Sequence, residues 1–570
     1  MASLNTTPSP LQRFWMLLKP DQREITNVYI YAIFNGLVYL SLPLGIQAII
    51  NLIQGGQVST SWVLLVILVI VGIAVTGILN IFQLRITEIL QQNIFTRAAF
   101  EFAYRLPRIK LEAMYRHYAP ELMNRFFDTL TVQKGLAKIL IDFSAAIVQV
   151  VFGLIVLFFY HPFFIAFSLI VIVIVYFLFR LTVKKGLTTS MIESKHKYEV
   201  LHWLQELGRT QTSFKLAGNT DLPLSGTNSR VESYVVAREN HFKVLVKQYS
   251  LLVLFKVLIA AGLLVMGSLL VMEQQMNIGQ FVAAEIIILL IISSIEKLVF
   301  NMEIIYDVLT SIEKIGQVTD LELENNFGSD MPFETSGDGI AVQLENVSFA
   351  YPGQSEFKLK AVSLDIKSGE KIMIAGKNNS GKTTLLHVIG GLYDSYKGHL
   401  SYNGFPKKSL DLFKLRDNIG ECLMEEKLFQ GSIMDNITMG RPAASIENVT
   451  WIVYEMGLEN YIRHSEFGFQ TMLDPEGKKI SRGIAQKLLL ARAMVVKPKL
   501  LLLNDCFNAI ESEESEKIIQ FVMNTNNRWT VISVSNNDSI AKMSDRIVWF
   551  ENGVIVQTGN FENYLSSLKK

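Results

Sequence analysis

Six apolar runs constrain this chain more than any other feature. A hydrocarbon core about 30 Å thick takes roughly 20 apolar residues to cross, because a helix rises about 1.5 Å per residue. Residues 28–53, 62–84, 143–160 and 163–179 carry no Asp, Glu, Lys or Arg, while 249–272 and 278–295 carry one each, Lys256 and Glu285. The lipid bilayer is therefore the first partner. The connectors at 54–61, around 161 and at 273–277 contain no Lys or Arg, whereas Lys19, Arg23, Arg97, Arg105, Arg108, Arg180, Lys184 and Lys185 flank the opposite ends. That asymmetry predicts a multi-pass protein of an inner or plasma membrane with both termini in the cytosol. The inner connectors, 85–142 and 180–248, are polar and rich in helix formers, and are expected to extend the membrane helices into the cytosol.

Half of the 570 residues are hydrophobic, 18% are charged and the net charge is +1. A globally basic nucleic-acid binder is excluded, and no nucleic-acid partner is expected. Cys422 and Cys506 both fall in the polar C-terminal part, where buried reduced thiols are expected rather than a disulfide. Residues 1–24 read as a cytosolic leader, polar and Pro-containing, without a cleavage pattern.

An ionisable group inside a span is costly and is often functional. Lys256 lies roughly 24 Å from the outer end of its helix, close enough to the inner interface to snorkel. Glu285 lies roughly 10 Å from the outer end of the next. It is a candidate for lining a transport cavity, with a satisfied structural acid as the alternative.

Residues 319–340 are acidic, Gly-containing and non-periodic, as a linker is. From 341 to 570 alternating strand and helix patterns predict a soluble α/β domain. The fold class is thus multi-domain: an all-α six-helix transmembrane domain over 25–318, then an α/β domain. Within the latter, KIMIAGKNNSGKTTLLHVIGGL places an apolar strand, a loop Gly376-x4-Gly381-Lys382-Thr383, and a helical pattern. This is a phosphate loop in its required context. Gly376, Asn378, Asn379, Ser380 and Gly381 form the turn whose backbone N–H groups converge on phosphate oxygens. Lys382 supplies a cation for the β/γ-phosphates, Thr383 a hydroxyl for Mg²⁺, and Thr384, next on the helix, is a further nucleotide-binding candidate.

With six spans, a linker and a phosphate-loop domain, the chain resembles a half-size ABC exporter over nearly its whole length. The resemblance implies ATP and Mg²⁺ as cofactors and a second half-transporter as partner, in a homodimer or a heterodimer. Tyr351 in NVSFAYPG matches the family's adenine-stacking aromatic. Met424 stands at the position of the family's metal-sensing glutamine. ISRGI, with Ser481 and Gly483, occupies the signature position usually written LSGGQ. Asn504 stands at the metal-binding Asp position, Asp505 at the catalytic Glu position, NAIE at the usual SALD loop, and Asn536 at the switch His. The short YHPFF turn and the loop TSFKLAGN are most similar to haemolysin-type, or type I secretion, exporters, which implies a periplasm-spanning adaptor as a further partner.

Phosphoryl transfer depends on positioning and charge neutralisation, so each departure from the family pattern matters. Asn504 brings no negative charge to a hard cation that favours carboxylates, which predicts weak Mg²⁺ binding. Asp505 is one methylene short of the expected base. Asn536 lacks the imidazole's reach and cationic form, and Met424 lacks a polar end. Arg482 puts a bulky cation where the signature's first glycine lets backbone approach a phosphate. Two expectations follow: an ATP-binding exporter subunit whose hydrolysis is weak or partner-dependent, and, as the alternative, a pseudo-ATPase acting as a nucleotide-gated membrane scaffold or regulator.

Overall fold

The computed structural model describes residues 8–54, 60–324, 328–329, 339–423 and 426–568. Contacts divide the chain into two units, one of Met1–Pro107 with His117–Leu321, the other of Arg108–Arg116 with Glu322–Lys570.

In the first unit the six apolar runs lie on helices α1 (Gln22–Gln54), α2 (Thr60–Arg105), α3 (Ser144–Phe158), α4 (Pro162–Arg209), α5 (Leu222–Met272) and α6 (Ile278–Phe300). With α3 taken as the end of the longer helical stretch Ala119–Phe158, all six are long and apolar enough to cross a membrane. The most apolar 18-residue window of α2, of mean hydropathy 3.0, has none of its residues buried within this chain. The breaks between spans have local causes. His161 caps α4 through its ring nitrogen, which accepts from Phe163 N at 3.1 Å, with Pro162 at the first helical position. Asn277 and Gln280 form a reciprocal capping box that starts α6. Between them α3, α4, α5 and α6 bury Leu157, Phe164, Leu252, Phe255, Ile287 and Ile295 as one apolar core.

At 48 and 51 residues, α4 and α5 each run to more than twice the length the hydrocarbon requires. The inner connectors are not continuous helices, however. The first is interrupted by a 3-10 turn at Leu106–Arg108, where Pro107 offers no N–H, and again around Tyr115–Tyr118. The second breaks between Leu216 and Leu222, with Gly218 at φ +71°, because the chain must reverse there to bring α5 back along α4. Lys256 Nζ pairs with Glu296 Oε2 at 2.5 Å, so its charge is met by a neighbouring helix rather than by reaching the interface. Glu285 is half-buried and has no ion-pair partner among the described residues.

The second unit contains two main sheets. One has the order β2 (Leu359–Ile366), β1 (Val342–Phe349), β4 (Lys397–Tyr402) and the short Phe405–Pro406, all antiparallel. The other has the order β9 (Val554–Gly559), β8 (Arg546–Glu551), β3 (Lys371–Ala375), β7 (Thr530–Val534), β6 (Leu500–Asn504), β5 (Ile419–Cys422). It is parallel except at the β8–β9 pair. β3, β6 and β7 are buried at every residue, which is why KIMIA, LLLLN and TVISV read as unbroken rather than alternating runs.

Candidate nucleotide-binding site

Ligands of open parallel sheets bind beyond the carboxyl ends of the strands, and the sequence-expected residues gather there. The phosphate loop leaves the end of β3 and enters helix α7 (Lys382–Ile389), while Asn504 ends β6 opposite Val534 of β7, two residues before Asn536. Met424, just past β5, lies outside the described residues.

The loop is built for close backbone approach. Gly376 adopts φ +146° and Gly381 φ +108°, and a Cβ on Gly376 would lie 2.1 Å from Phe550 O. Asn379 adopts φ +65° at the tip, where Lys358 Nζ donates to its carbonyl at 2.7 Å and to its Oδ1 at 2.5 Å. Asn378 is exposed beside it. Lys382 Nζ curls over the loop and donates to Gly376 O at 2.6 Å and Lys377 O at 2.8 Å. Ser380 Oγ is buried with no hydrogen-bond partner. An unpaired buried hydroxyl beside a clustered ammonium and a glycine-built turn fits the phosphate chain of a nucleotide.

Thr383 and Asn504 stand 121 positions apart in sequence, yet Asn504 Nδ2 donates to Thr383 Oγ1 at 3.1 Å. Asn504 is 2% exposed, so this neutral pair is what the strand delivers to the metal position expected from the sequence. Among the described residues no group of three His, Cys, Asp or Glu side chains could hold a metal ion. Thr383 and Asn504 could supply only neutral oxygens, which fits Mg²⁺ poorly unless nucleotide phosphates carry most of the charge. Asp505, at φ +50°, donates its backbone N–H to Val534 O at 3.0 Å. Burial pushes its carboxyl up, opposed by the Lys382 ammonium and a bond from Asn508. Burial pushes Lys382 down and Asp505 opposes it, so the two charges face each other.

Asn536 is exposed; its carbonyl accepts from Tyr564 Oη at 3.1 Å. Ser481 caps helix α8 (Arg482–Met494) by accepting from Ile484 N at 3.3 Å, and a Cβ on Gly483 would lie 3.1 Å from Ala509 O. No hydrogen bond joins Ser481 or Gly483 to the phosphate loop among the described residues. Arg482, at the first position of α8, is exposed. A cation there opposes the helix dipole, which favours an anion at that end.

Tyr351 Oη shares a 2.8 Å hydrogen bond with Thr384 Oγ1, tying the aromatic to α7. One ring that the sequence did not flag lies against it. Tyr115, in the Arg108–Arg116 stretch that packs within this unit, stacks on Tyr351 with centroids 5.1 Å apart and planes 17° apart. Gln354 Nε2 donates to Tyr115 Oη at 3.2 Å, and Glu112 Oε1 accepts from the backbone N–H groups of Asp394 at 2.5 Å and Ser395 at 3.1 Å. No periodicity marks Tyr115, because its role depends on a partner 236 positions away.

Glu421, on β5, is also new. A Cβ on Gly390, the residue that ends α7, would lie 2.4 Å from its Oε1, so its carboxyl sits at the negative end of that helix. Burial, reinforced by Glu426 and opposed by Arg416, pushes it up to about 7. A carboxyl raised on folding binds its proton more tightly in the folded state, so stability falls as pH rises from about 4.5 through about 7. Glu421→Gln is expected to raise the melting temperature relative to wild type at pH 8 and to lose that advantage below pH 5. An equal shift at both pH values would rule this out.

Comparison with known proteins bears on the family and the fold. The model of the ABC transporter transmembrane region matches residues 25–206, and that of the ABC transporter domain matches 359–508. The chain belongs to the ABC transporters. The alpha-hemolysin translocation ATP-binding protein HlyB of Escherichia coli O157:H7 is 29% identical over 301 residues. The leukotoxin export ATP-binding protein LtxB of Aggregatibacter actinomycetemcomitans is 30% identical over 306. Each alignment spans 53% of this chain but only 42% and 43% of the relative, so this ABC transporter matches less than half the length of each. A solved structure of a bacterial Atm1-family ABC exporter with ATP bound superposes with a TM-score of 0.79 over 96% of both chains. At 17% identity that likeness shows the exporter fold alone.

Proposed function

We propose that the chain is the ATP-binding subunit of a dimeric exporter that moves a cargo out of the cytosol, with hydrolysis that is slow or supplied by a partner chain. The observation that carries this reading is the Asn504–Thr383 contact beside a complete phosphate cradle: the nucleotide's anchors remain while the metal position is neutral. Lys382 and the loop N–H groups hold phosphate, and Tyr351, backed by Tyr115, stacks the base. Asp505 is the remaining carboxylate to polarise water. Mg²⁺, when bound, would neutralise phosphate charge. Ser481 and Gly483 face a second half-transporter's phosphates in this reading, with Arg482 obstructing or clamping them. Both termini and the α/β unit lie in the cytosol, and Glu285 lines the transport path. Relatives named for translocating alpha-hemolysin and leukotoxin favour a polypeptide cargo and a periplasmic adaptor.

The pseudo-ATPase alternative draws on Arg482 and the exposed Asn536, which weaken closure and switching together. Mg-ATP turnover and ATP binding, measured on the protein in lipid, separate the two. Turnover above background, alone or with a partner half-transporter, supports export. ATP binding with no turnover in either setting leaves the regulator.

Tyr115 acts here as a positioning residue. Stacked aromatic pairs contribute about 0.5–1.5 kcal/mol, so Tyr115→Ala is expected to weaken ATP binding about three- to tenfold while Tyr115→Phe keeps it. Equal affinity for wild type and the Ala variant would remove Tyr115 from the site.

A further inference from the structure

Away from the nucleotide site, α4 and α5 enclose a groove of about 350 Å³ lined by Lys185, Lys243, Lys247, Thr189 and Asn240 on a floor that includes Thr182 and Val244. Three lysines from two helices therefore line one space. Lys243 and Lys247 are one helical turn apart on α5, a like-charge spacing that destabilises a helix unless an anion offsets it. Their acidic relief is small. Glu239 meets Lys243 at 3.8 Å across an exposed surface, Glu193 is engaged by Arg238 at 3.3 Å, and Lys185 and Lys247 have no ion-pair partner among the described residues.

The groove is fixed in place rather than an accident of mobile side chains. Gln248 Nε2 donates to Thr182 Oγ1 at 2.9 Å and to Tyr306 Oη at 2.7 Å, which locks α4 to α5 immediately behind it. Gly186 admits the Tyr306 ring so closely that a Cβ would lie 2.3 Å from it. Thr189 Oγ1 is held by His241 Nδ1 at 2.8 Å.

Its level along the helices is equally telling. Tyr176 on α4 and Tyr249 on α5 are exposed at the polar ends of the apolar runs, where membrane proteins concentrate interfacial aromatics. The three lysines follow within roughly 3–14 Å on the polar side of these rings, and the exposed Leu181 and Ile192 flank them. Cations just beyond an aromatic belt stand at the depth of phosphate headgroups.

We propose that this groove is a binding site for a phosphate group, held by Lys185, Lys243 and Lys247 with Asn240 as a further donor. The phosphate is that of an anionic lipid headgroup or a free phosphate ion. Each lysine near such a surface is worth about a fivefold change in affinity, so replacing all three weakens binding on the order of a hundredfold.

The full chain, purified in detergent, is titrated with phosphatidylglycerol, phosphatidylcholine and inorganic phosphate, with bound species read by native mass spectrometry. Wild type is expected to retain phosphatidylglycerol over phosphatidylcholine, and the K185Q/K243Q/K247Q variant to lose that preference. K184Q, altered outside the groove, and the K185R/K243R/K247R variant keep it. Binding of inorganic phosphate in place of phosphatidylglycerol, lost in the triple Gln variant, identifies the free ion as the occupant. The proposal is overturned if wild type prefers neither anion, or if the triple Gln variant, melting at the wild-type temperature, binds as wild type does.

Discussion

Restoring Asn504→Asp, Asp505→Glu and Asn536→His together is expected to raise Mg-ATP turnover by at least about a hundredfold. Asn504 reaches Thr383 Oγ1 at 3.1 Å from a position 2% exposed, so an Asp there places a carboxylate oxygen beside the same hydroxyl with little rearrangement. A hard cation then gains a charged ligand in place of an amide. Glu at 505 extends the carboxylate by one methylene from a backbone already held to Val534 O at 3.0 Å. Misplacement on the order of 1 Å costs about a hundredfold in positioning-dependent chemistry, and that factor is what the added reach recovers. His at 536 starts from an exposed side chain, so it introduces no buried strain. Steady-state turnover in lipid, with ATP affinity measured alongside, checks the result. Unchanged turnover with ATP still bound would show that these three positions do not limit the reaction and would move the limit to Arg482 or to the partner chain.

Lys382→Ala is expected to lower ATP affinity by about 10²–10³-fold. Each hydrogen bond to a charged group contributes about 1.5–3 kcal/mol, and the ammonium is already poised over the loop with Gly376 O and Lys377 O as its present acceptors. Removing it also leaves Asp505 without its facing cation, so the carboxylate repels phosphate more strongly. A fluorescent ATP analogue titrated against both proteins reads the loss. The melting temperature without nucleotide separates lost binding from lost fold. Affinity within twofold of wild type would place the nucleotide elsewhere.

The six spans, the phosphate loop and the parallel-sheet unit are legible in one dimension because each is a local pattern. Hydrocarbon tolerates about 20 uncharged residues in a row, and a buried parallel strand reads as LLLL because both its faces are covered. The positive φ of Gly376 and Gly381 follows from a loop whose backbone must turn toward phosphate. The breaks inside the inner connectors were less visible. Helix formers dominate both stretches, and Pro107, Pro120, Gly218 and Pro223 are the local marks of where the chain leaves and resumes its helices.

Sequence by itself determined that this chain is a six-span membrane protein carrying a nucleotide cradle, and that the residues at the proposed metal and switch positions, Asn504 and Asn536, are amides. Tertiary structure alone decided what those residues meet. Asn504 donates to Thr383, Tyr115 lies on Tyr351, Lys256 pairs with Glu296, and three lysines from two helices share one groove. Hydropathy and motif spacing are properties of neighbours along the chain, set by solvent transfer and backbone sterics. Contacts between positions tens to hundreds of residues apart exist only once helices and strands have packed, and packing is where their energies are assigned.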